Sequence, residues 1–320
     1  MDSVIVAEIQ AKEDDQGGLM KAAENAFDAG AVVIAANGNS GAVPTVASPA
    51  RAHKVIGVGA YSINSMKTVV AQLLGPASDG RIKPDIQAPS VIKVCHEKQC
   101  SDCIPPISPT KCSIYDDTSC ATAFAAGAAA LFRNWLREFE TYDPGQVYAF
   151  MILSGEAHRD YEFKDQPHLL FDSEVGAGHL CMPRNGTAWW GKLSVSDKSC
   201  TEISIQVPEK TKQIDAAIWW PQESAWWEGL DCGLCQLPFL HNDIDLYLVE
   251  PKPDGTADET AVCTSDSGPS IFEKVCYPRQ PGQEITPGIW TIKISGYNVR
   301  SGPQTVYWAA TARKNPFQCQ

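Results

Sequence analysis

The 320-residue sequence has little positive charge and no long hydrophobic run. Lysine and arginine number 26 against 38 aspartates and glutamates, which gives a net charge of −12 and an isoelectric point near 4.9. No basic cluster offsets this balance, so the composition argues against nucleic acid as a partner. The longest apolar stretch, residues 121–132, is too short and too rich in alanine to span a bilayer, which argues against a membrane partner.

Cysteine is absent from the first 94 residues, and all twelve cysteines follow. Most lie in loop-like segments rich in Pro, Asp and Ser, which is typical of disulfides formed in an oxidising compartment. Two stretches, Cys95–Cys112 and Trp226–Cys235, look like insertions pinned by disulfides, with zinc ligation as the alternative. Asn185 begins an Asn-Gly-Thr glycosylation triplet. We therefore predict a secreted protein, although residues 1–6 lack the features of a signal peptide.

The pattern of apolar residues and turn residues changes near residue 183. Before that point, apolar strands alternate with an amphipathic helix at 19–29, and the strands lie at 4–9, 31–36 and 55–59. This rhythm predicts βαβ units around a parallel sheet. After that point, short alternating strands between Pro, Gly and Asp clusters predict an antiparallel β-sandwich or jelly roll. We expect an α/β domain over residues 1–183 and an all-β domain over residues 184–320.

Ser119 is the most informative single residue. It follows Asp117 and Thr118 and opens a long alanine-rich helix. A serine held at a helix N-terminus lies beside unpaired N–H groups and the positive end of the helix dipole, which is a setting for a nucleophilic hydroxyl. A serine that only caps a helix is the commoner use of this residue, so the neighbouring segments decide between the two interpretations.

Four segments resemble, in order, the C-terminal part of the catalytic domain of subtilisin-like serine proteases (peptidase S8). They are the Asn-Gly-Asn segment at 31–41, the strand at 55–61, the Gly-Pro to Asp-Gly-Arg to Lys-Pro-Asp segment at 75–89, and Thr-Ser-Cys-Ala at 118–121. The resemblance implies a partial three-layer α/β domain that hydrolyses polypeptide substrates through an acyl-enzyme on Ser119. It also implies an oxyanion-hole role for Asn39, for which a simple turn is the alternative.

Some positions differ from the family pattern. Asp117 replaces the glycine before Thr-Ser, and residues 8–10 read Glu-Ile-Gln where the substrate-binding strand often reads Ser-Leu-Gly. The Pro and His that follow the nucleophile in the family are Ala123 and Phe124 here. Cys120 takes the place of an apolar residue, and we expect it to be a buried free thiol.

The triad base is missing from this pattern. The resemblance implies the order Asp, His, Ser, yet the first histidine is His53, and no His-Gly-Thr-His motif precedes Ser119. A serine without its base retains little catalysis. We therefore predict a chain that begins in mid-domain, lacks the triad His and Asp, and has negligible proteolytic activity alone. A non-catalytic pseudoprotease, or a binding module that uses the β-domain, is the alternative.

The second domain carries weaker signals. Residues His241–Val249 are similar to the Asp-x-Asp-Leu strand of C-terminal β-domains, of the pre-peptidase or P-domain kind, attached to secreted proteases. Asp243 and Asp245 share one strand face, which leaves calcium binding open beside an ordinary solvated face; no other cofactor is expected. Trp226 and Trp227 suggest a platform for a polymer such as a glycan, with loop packing as the default.

Overall fold

The structure, a computed structural model, describes residues 3–11, 17–39, 45–95, 112–156, 169–182, 186–222, 241–251, 257–278, 283–300 and 302–315. Several sequence predictions fall outside these residues: the glycosylation site at Asn185, the tryptophans Trp226 and Trp227, the pair Cys232 and Cys235, and the interior of the Cys95–Cys112 insertion. Within the described ranges, no helix is long and apolar enough to cross a membrane.

In the first part of the chain, the described residues form eight strands and three helices. The strands are β1 (Val4–Ala7), β2 (Val32–Ala36), β3 (Ile56–Ser62), β4 (Ile86–Ser90), β5 (Ile92–Cys95), β6 (Cys112–Tyr115), β7 (Gly155–Glu156) and β8 (His179–Leu180). The helices are α1 (Gly18–Asp28), α2 (Thr118–Glu138) and α3 (Pro144–Leu153). Six of the strands form one sheet in the order β1-β2-β3-β4-β8-β7, parallel except for β7. This confirms the predicted parallel α/β architecture.

The helix ends follow from local sequence. Asp117 caps α2 by accepting the Cys120 N–H, and Asp143 caps α3 by accepting the Gly145 N–H ahead of a proline in the first turn. Helix α2 buries residues at helical spacing, namely Ala121, Ala125, Ala129, Phe132 and Leu136. Helix α3 is buried along its whole length, which explains why its sequence is apolar on every side.

The described residues of the second part form eight antiparallel strands. They are β9 (Thr187–Val195), β10 (Cys200–Val207), β11 (Gln213–Trp219), β12 (Asp243–Pro251), β13 (Ala257–Ser265), β14 (Phe272–Tyr277), β15 (Gly288–Asn298) and β16 (Gln304–Arg313). They form two four-stranded sheets in the orders β10-β15-β12-β13 and β14-β11-β16-β9. Fully buried side chains of both sheets, including Trp219 and Trp290, belong to one apolar core. The predicted antiparallel β architecture is confirmed at this level.

The two parts pack on each other through α3. The Tyr148 ring on α3 lies edge-on to Trp219 of β11, with centroids 4.8 Å apart. The Gln146 side chain donates to the carbonyl of Trp308 in β16. At the other end of α3, Lys274 donates to the Gly155 carbonyl, so apolar and polar contacts both join the α/β part to the sheets.

Gly145 sets how closely α3 approaches β16. A Cβ at this position would lie 2.3 Å from the Tyr307 ring, whereas a Cβ at Gly127 on α2 would meet nothing within 4 Å. We expect Gly145→Ala to lower the free energy of unfolding by about 1–3 kcal/mol through overpacking, since this exceeds the gain in helix propensity. The matched change Gly127→Ala should instead stabilise the protein by about 0.5–1 kcal/mol. Urea unfolding of both variants checks the opposite signs.

The described cysteines only partly follow the predicted pattern. Cys181 is disulfide-bonded, whereas Cys120, Cys200 and Cys276 carry free thiols. Cys120 was expected to be buried but is half-buried, because the first turn of α2 lies at the edge of the α/β part. The two-stranded sheet β5-β6 places Cys95 opposite Cys112 in its register. The two ends of the predicted Cys95–Cys112 insertion are therefore adjacent. A disulfide between them stays a prediction.

Candidate active site

Ser119 lies in the first turn of α2, half-buried, and its hydroxyl donates to the Glu8 carbonyl at 3.2 Å. The carboxylate of Asp117, unexpected so near a nucleophile, is used as the cap of the helix. Burial and the Asp117 charge raise the pKa of the neighbouring Cys120 thiol. Cys120 therefore stays a neutral thiol near pH 7, and Ser119 is the side chain whose position suits nucleophilic attack.

The start of α2 offers one backbone donor beside the Ser119 hydroxyl. Three of the first four N–H groups have acceptors: Thr118 donates to Asn39 Oδ1, Cys120 to Asp117 Oδ1 and Ala121 to the Asp117 carbonyl. The Ser119 N–H has no acceptor among the described residues. An unpaired N–H at a helix N-terminus, next to a hydroxyl, is the kind of donor that stabilises an oxyanion.

Asn39 lies directly against this helix start. Its Oδ1 accepts both the N–H and the hydroxyl of Thr118 at 3.0 Å each, which fixes the orientation of the amide group. Its Nδ2 has no acceptor in the part of the chain that the structure describes, so this amide offers a second unpaired donor near Ser119. The backbone N–H of Asn39 is held by Gln10 Oε1 at 2.6 Å.

The turn before Asn39 depends on glycine. Gly38 has φ of +105°, and a Cβ there would lie 2.7 Å from Leu73 Cδ1. Asn37 points the other way: it is fully buried, and its Nδ2 donates to the Leu73 carbonyl at 2.6 Å. Of the two asparagines flanking Gly38, Asn39 is therefore the one that contacts α2, which agrees with the preference for Asn39 drawn from the sequence.

Residues 8–10 run beside both candidate residues. The strand was expected to extend to Ile9, but β1 ends at Ala7 because Glu8 and Gln10 turn their polar groups to Ser119 and Asn39. An open cavity of about 550 Å³ is lined in part by Ser65, Val70 and Asp116, the residue before the Asp117 cap of α2. Residues 8–10 and this cavity therefore both adjoin the start of α2.

No described histidine is hydrogen-bonded to Ser119. His179, expected to mark a structural turn, is buried and stacks on Tyr61 with ring centroids 3.9 Å apart. His53 and His241 both lie near Asp79 instead. His96, His158 and His168 lie outside the described residues, as does Asp2.

A buried ion pair supports the sheet behind the site. Lys83 and Asp85, both fully buried, pair with each other, and Asp85 also accepts the Gly57 N–H at 2.6 Å. Lys83 Nζ further donates to the Val55 carbonyl at 2.8 Å. The Lys-Pro-Asp sequence therefore joins the start of β4 to the start of β3. Strand β3 lies next to β2, and Asn39 follows the end of β2.

The aspartates considered for calcium lie on β12. Asp245 is buried and accepts the Tyr247 hydroxyl at 2.9 Å, and burial raises its pKa to about 6. Asp243 is half-buried, and burial raises its pKa too. The one group of three or more His, Cys, Asp or Glu ligands found among the described residues does not include them. Calcium binding at Asp243 and Asp245 therefore stays the open alternative to an ordinary strand face.

The structure defines the class of fold, an α/β protein with a parallel sheet, and comparison with known sequences identifies the family. The model of the subtilase family, Peptidase S8, matches residues 7–178. Because the match covers more than half of the sequence, the chain belongs to the subtilase family of peptidases. The α/β part is accordingly a subtilisin-like fold, accompanied by the two antiparallel sheets.

The similarity to individual known proteins covers only part of each chain. Serine protease AprX of Bacillus subtilis (strain 168) is 39% identical over 124 residues, which are 35% of this chain and 28% of AprX. The chain thus matches little more than a quarter of that relative's length. Among solved structures, the patellamide maturation protease PatA is 22% identical with a TM-score of 0.39, covering 55% of this chain and 59% of its own. The PatG macrocyclase domain is 16% identical with a TM-score of 0.41, covering 55% and 49%.

Proposed function

We propose that this chain supplies the nucleophile and oxyanion hole of a serine endopeptidase that cleaves polypeptide substrates. Ser119 Oγ would attack the scissile carbonyl to form an acyl-enzyme, which water then hydrolyses. The Ser119 N–H and Asn39 Nδ2 would donate to the oxyanion that develops in each step. The observation that carries the proposal is that two N–H donors at the start of α2 have no described acceptor: the N–H of Ser119 itself, and Nδ2 of Asn39, whose Oδ1 contacts Thr118.

We assign the general base to a histidine N-terminal to these 320 residues, because the triad order Asp, His, Ser puts it before Ser119, where the chain has no His-Gly-Thr-His motif. The Ser119 hydroxyl donates to the Glu8 carbonyl, and the three described histidines make other contacts. Without a base the hydroxyl stays protonated and weakly nucleophilic. We therefore expect residues 1–320 alone to cleave a generic protein substrate at a negligible rate. Measurable cleavage that Ser119→Ala abolishes would contradict this expectation.

A fluorophosphonate probe tests the serine assignment. The longest natural reading frame that contains this chain would be incubated with the probe, and the adduct would be located by mass spectrometry. We expect one adduct, on Ser119, which is lost in Ser119→Ala and kept in Ser65→Ala, the matched serine of the neighbouring cavity. A folded protein with no Ser119 adduct would favour the competing assignment, a pseudoprotease or binding module that acts through its β-sheets.

We also propose a two-domain organisation divided near residue 183, between the end of β8 and the start of β9. The strand orders of the two four-stranded sheets support a jelly-roll topology for the second domain, since eight strands are shared between two antiparallel sheets with long crossings. Secretion with additional disulfides and a glycan at Asn185 belongs to the same proposal. The disulfide at Cys181 and the twelve cysteines support it.

A further inference from the structure

Three metal-binding side chains from distant points of the sequence converge away from Ser119. His53 precedes β3, Asp79 precedes β4, and His241 precedes β12 of the second part. Asp79 Oδ2 lies 3.6 Å from His53 Nε2 and 3.7 Å from His241 Nε2. The three ligand atoms lie within 4.8 Å of one another, and this is the one such group among the described residues.

We propose that His53, Asp79 and His241 bind one divalent transition-metal ion of the zinc class. Two imidazole nitrogens and a carboxylate oxygen are ligands that Zn²⁺ prefers, and three protein ligands leave a fourth position for water. Tetrahedral Zn²⁺ with bonds of about 2.0–2.1 Å holds its ligand atoms roughly 3.4 Å apart. The two distances to Asp79 Oδ2, 3.6 and 3.7 Å, exceed that separation by about 0.2 and 0.3 Å, and the two imidazole nitrogens lie within 4.8 Å of each other.

The surroundings of His53 match those of a ligand histidine. Its Nδ1 lies 3.5 Å from Glu24 Oε1, and the same oxygen accepts the His53 backbone N–H at 2.9 Å. A carboxylate on the nitrogen opposite the metal is the usual support for a ligating imidazole, because it fixes the ring orientation and increases its basicity. Glu24 therefore directs His53 Nε2 toward Asp79 and His241.

The surroundings of His241 are also fixed. The next residue, Asn242, accepts the Arg300 N–H at 2.9 Å and donates its side chain to Gln304 at 2.7 Å. The His241 ring is 7% exposed and lies 5.2 Å from the His53 ring, centroid to centroid. Both imidazoles are thus held in a site largely shielded from solvent, where a metal bond competes with little water.

The charges of the site suit a cation, with one opposing group. Both imidazoles are buried, and neutral imidazole is the form that binds metals. The Asp79 carboxylate pairs with the Arg81 guanidinium, whose Nε lies 2.6 Å from Oδ2. Arg81 opposes the charge of the metal, and the carboxylates of Asp79 and Glu24 offset it.

A metal ion bound at this site would connect the two parts of the chain. His53 and Asp79 belong to the α/β part, while His241 lies just before β12 of the β part. A metal bound by all three would tie the loops before β3 and β4 to the sheets. Binding only to the folded, assembled form would stabilise that form by RT ln(1 + [metal]/Kd), which grows with the logarithm of the free metal concentration above Kd.

Metal titration of the full chain tests the site. After treatment with EDTA, the protein would be titrated with ZnCl₂ by calorimetry and with Co²⁺ by visible absorption. We expect one Zn²⁺ per chain and tetrahedral Co²⁺ bands without the near-ultraviolet thiolate band that cysteine ligands produce. We further expect loss of measurable binding in His241→Gln, a fall in affinity of roughly 10–100-fold in Glu24→Gln, and no change in His179→Gln, a matched buried histidine outside the group.

Three outcomes would overturn the proposal: no zinc binding by the wild-type chain, binding that survives in His241→Gln, or a cobalt spectrum with thiolate bands. Circular dichroism of the metal-free variants shows whether each one folds. If His241→Gln does not fold, Asp79→Asn and the cobalt spectrum of the wild-type chain decide the question, since the spectrum reports the ligand atoms directly.

Discussion

Asn39→Asp should lower kcat by at least roughly 10²–10³-fold in a form of the protein that carries the base, with KM little changed. This is the cost of removing one oxyanion donor, a magnitude established on a subtilisin. The substitution is selective because a carboxylate still accepts the Thr118 N–H and hydroxyl that orient residue 39, yet it has no N–H to donate. Steady-state kinetics on a labile peptide substrate separate kcat from KM, and an interaction made only in the transition state appears in kcat.

Asn37→Asp is the matched control for this prediction. Asn37 lies two residues away and is fully buried, and its Nδ2 donates to the Leu73 carbonyl. Its replacement buries a charge and leaves that carbonyl without its donor, so we expect lower stability but an unchanged kcat per folded molecule. Equal losses of kcat in both variants, corrected for the folded fraction, would mean that Asn39 only shapes the turn.

The candidate site was accessible from the sequence because its residues lie in short, ordered motifs. Asn39 follows a glycine at the end of an apolar strand, and Ser119 starts a helix whose cap, Asp117, is adjacent in sequence. The bounds of α3, Pro144–Leu153, also follow from the sequence alone, because an aspartate cap, a following proline and an uninterrupted apolar run are all local signals.

The sequence pattern did not predict strands whose polar residues are paired with residues far away in the sequence. Strand β4 contains Gln87 and Pro89, and β14 contains Glu273 and Lys274, residues that argue against buried strands. Each buried charge is satisfied from elsewhere: Glu273 accepts from Ser265 and Ser267, and Lys274 donates to the α/β part. These pairings exist only after the chain has folded, so no sequence window contains the signal.

The His53, Asp79 and His241 group was missed for the same reason. Its members are separated by 26 and 162 positions, and each one taken alone reads as an ordinary loop residue. His53 drew attention only because it is not where a subtilase has its base. The fold brings the three together through the loops before β3, β4 and β12, which follow from the sheet topology rather than from any motif.

Lys83→Met should lower the free energy of unfolding by about 3–5 kcal/mol, because it leaves the fully buried Asp85 without its counter-charge. The burial that already raises the pKa of Asp85 would then act without the opposing effect of Lys83. An unfolded aspartate titrates near pH 4, so the variant should lose stability relative to the wild type as pH rises above about 4, toward the raised pKa of the folded state. Denaturant unfolding at several pH values measures this difference.

Two further variants separate the loss of charge pairing from the loss of a lysine. Lys192→Met removes a lysine that is 63% exposed and pairs with Asp143 at 3.1 Å, and it should cost no more than about 1 kcal/mol.

The double variant Lys83→Met with Asp85→Asn replaces the buried charge by an amide whose oxygen still accepts the Gly57 N–H. Because no unpaired buried charge remains, it should recover much of the stability that Lys83→Met loses. If the double variant is as unstable as Lys83→Met, the lysine contributes through its bond to the Val55 carbonyl rather than through Asp85. The pair joins β4 to the start of β3, behind Ser119 and Asn39. Recovery in the double variant would therefore show that the sheet tolerates the loss of both charges and is destabilised only by one unpaired buried charge.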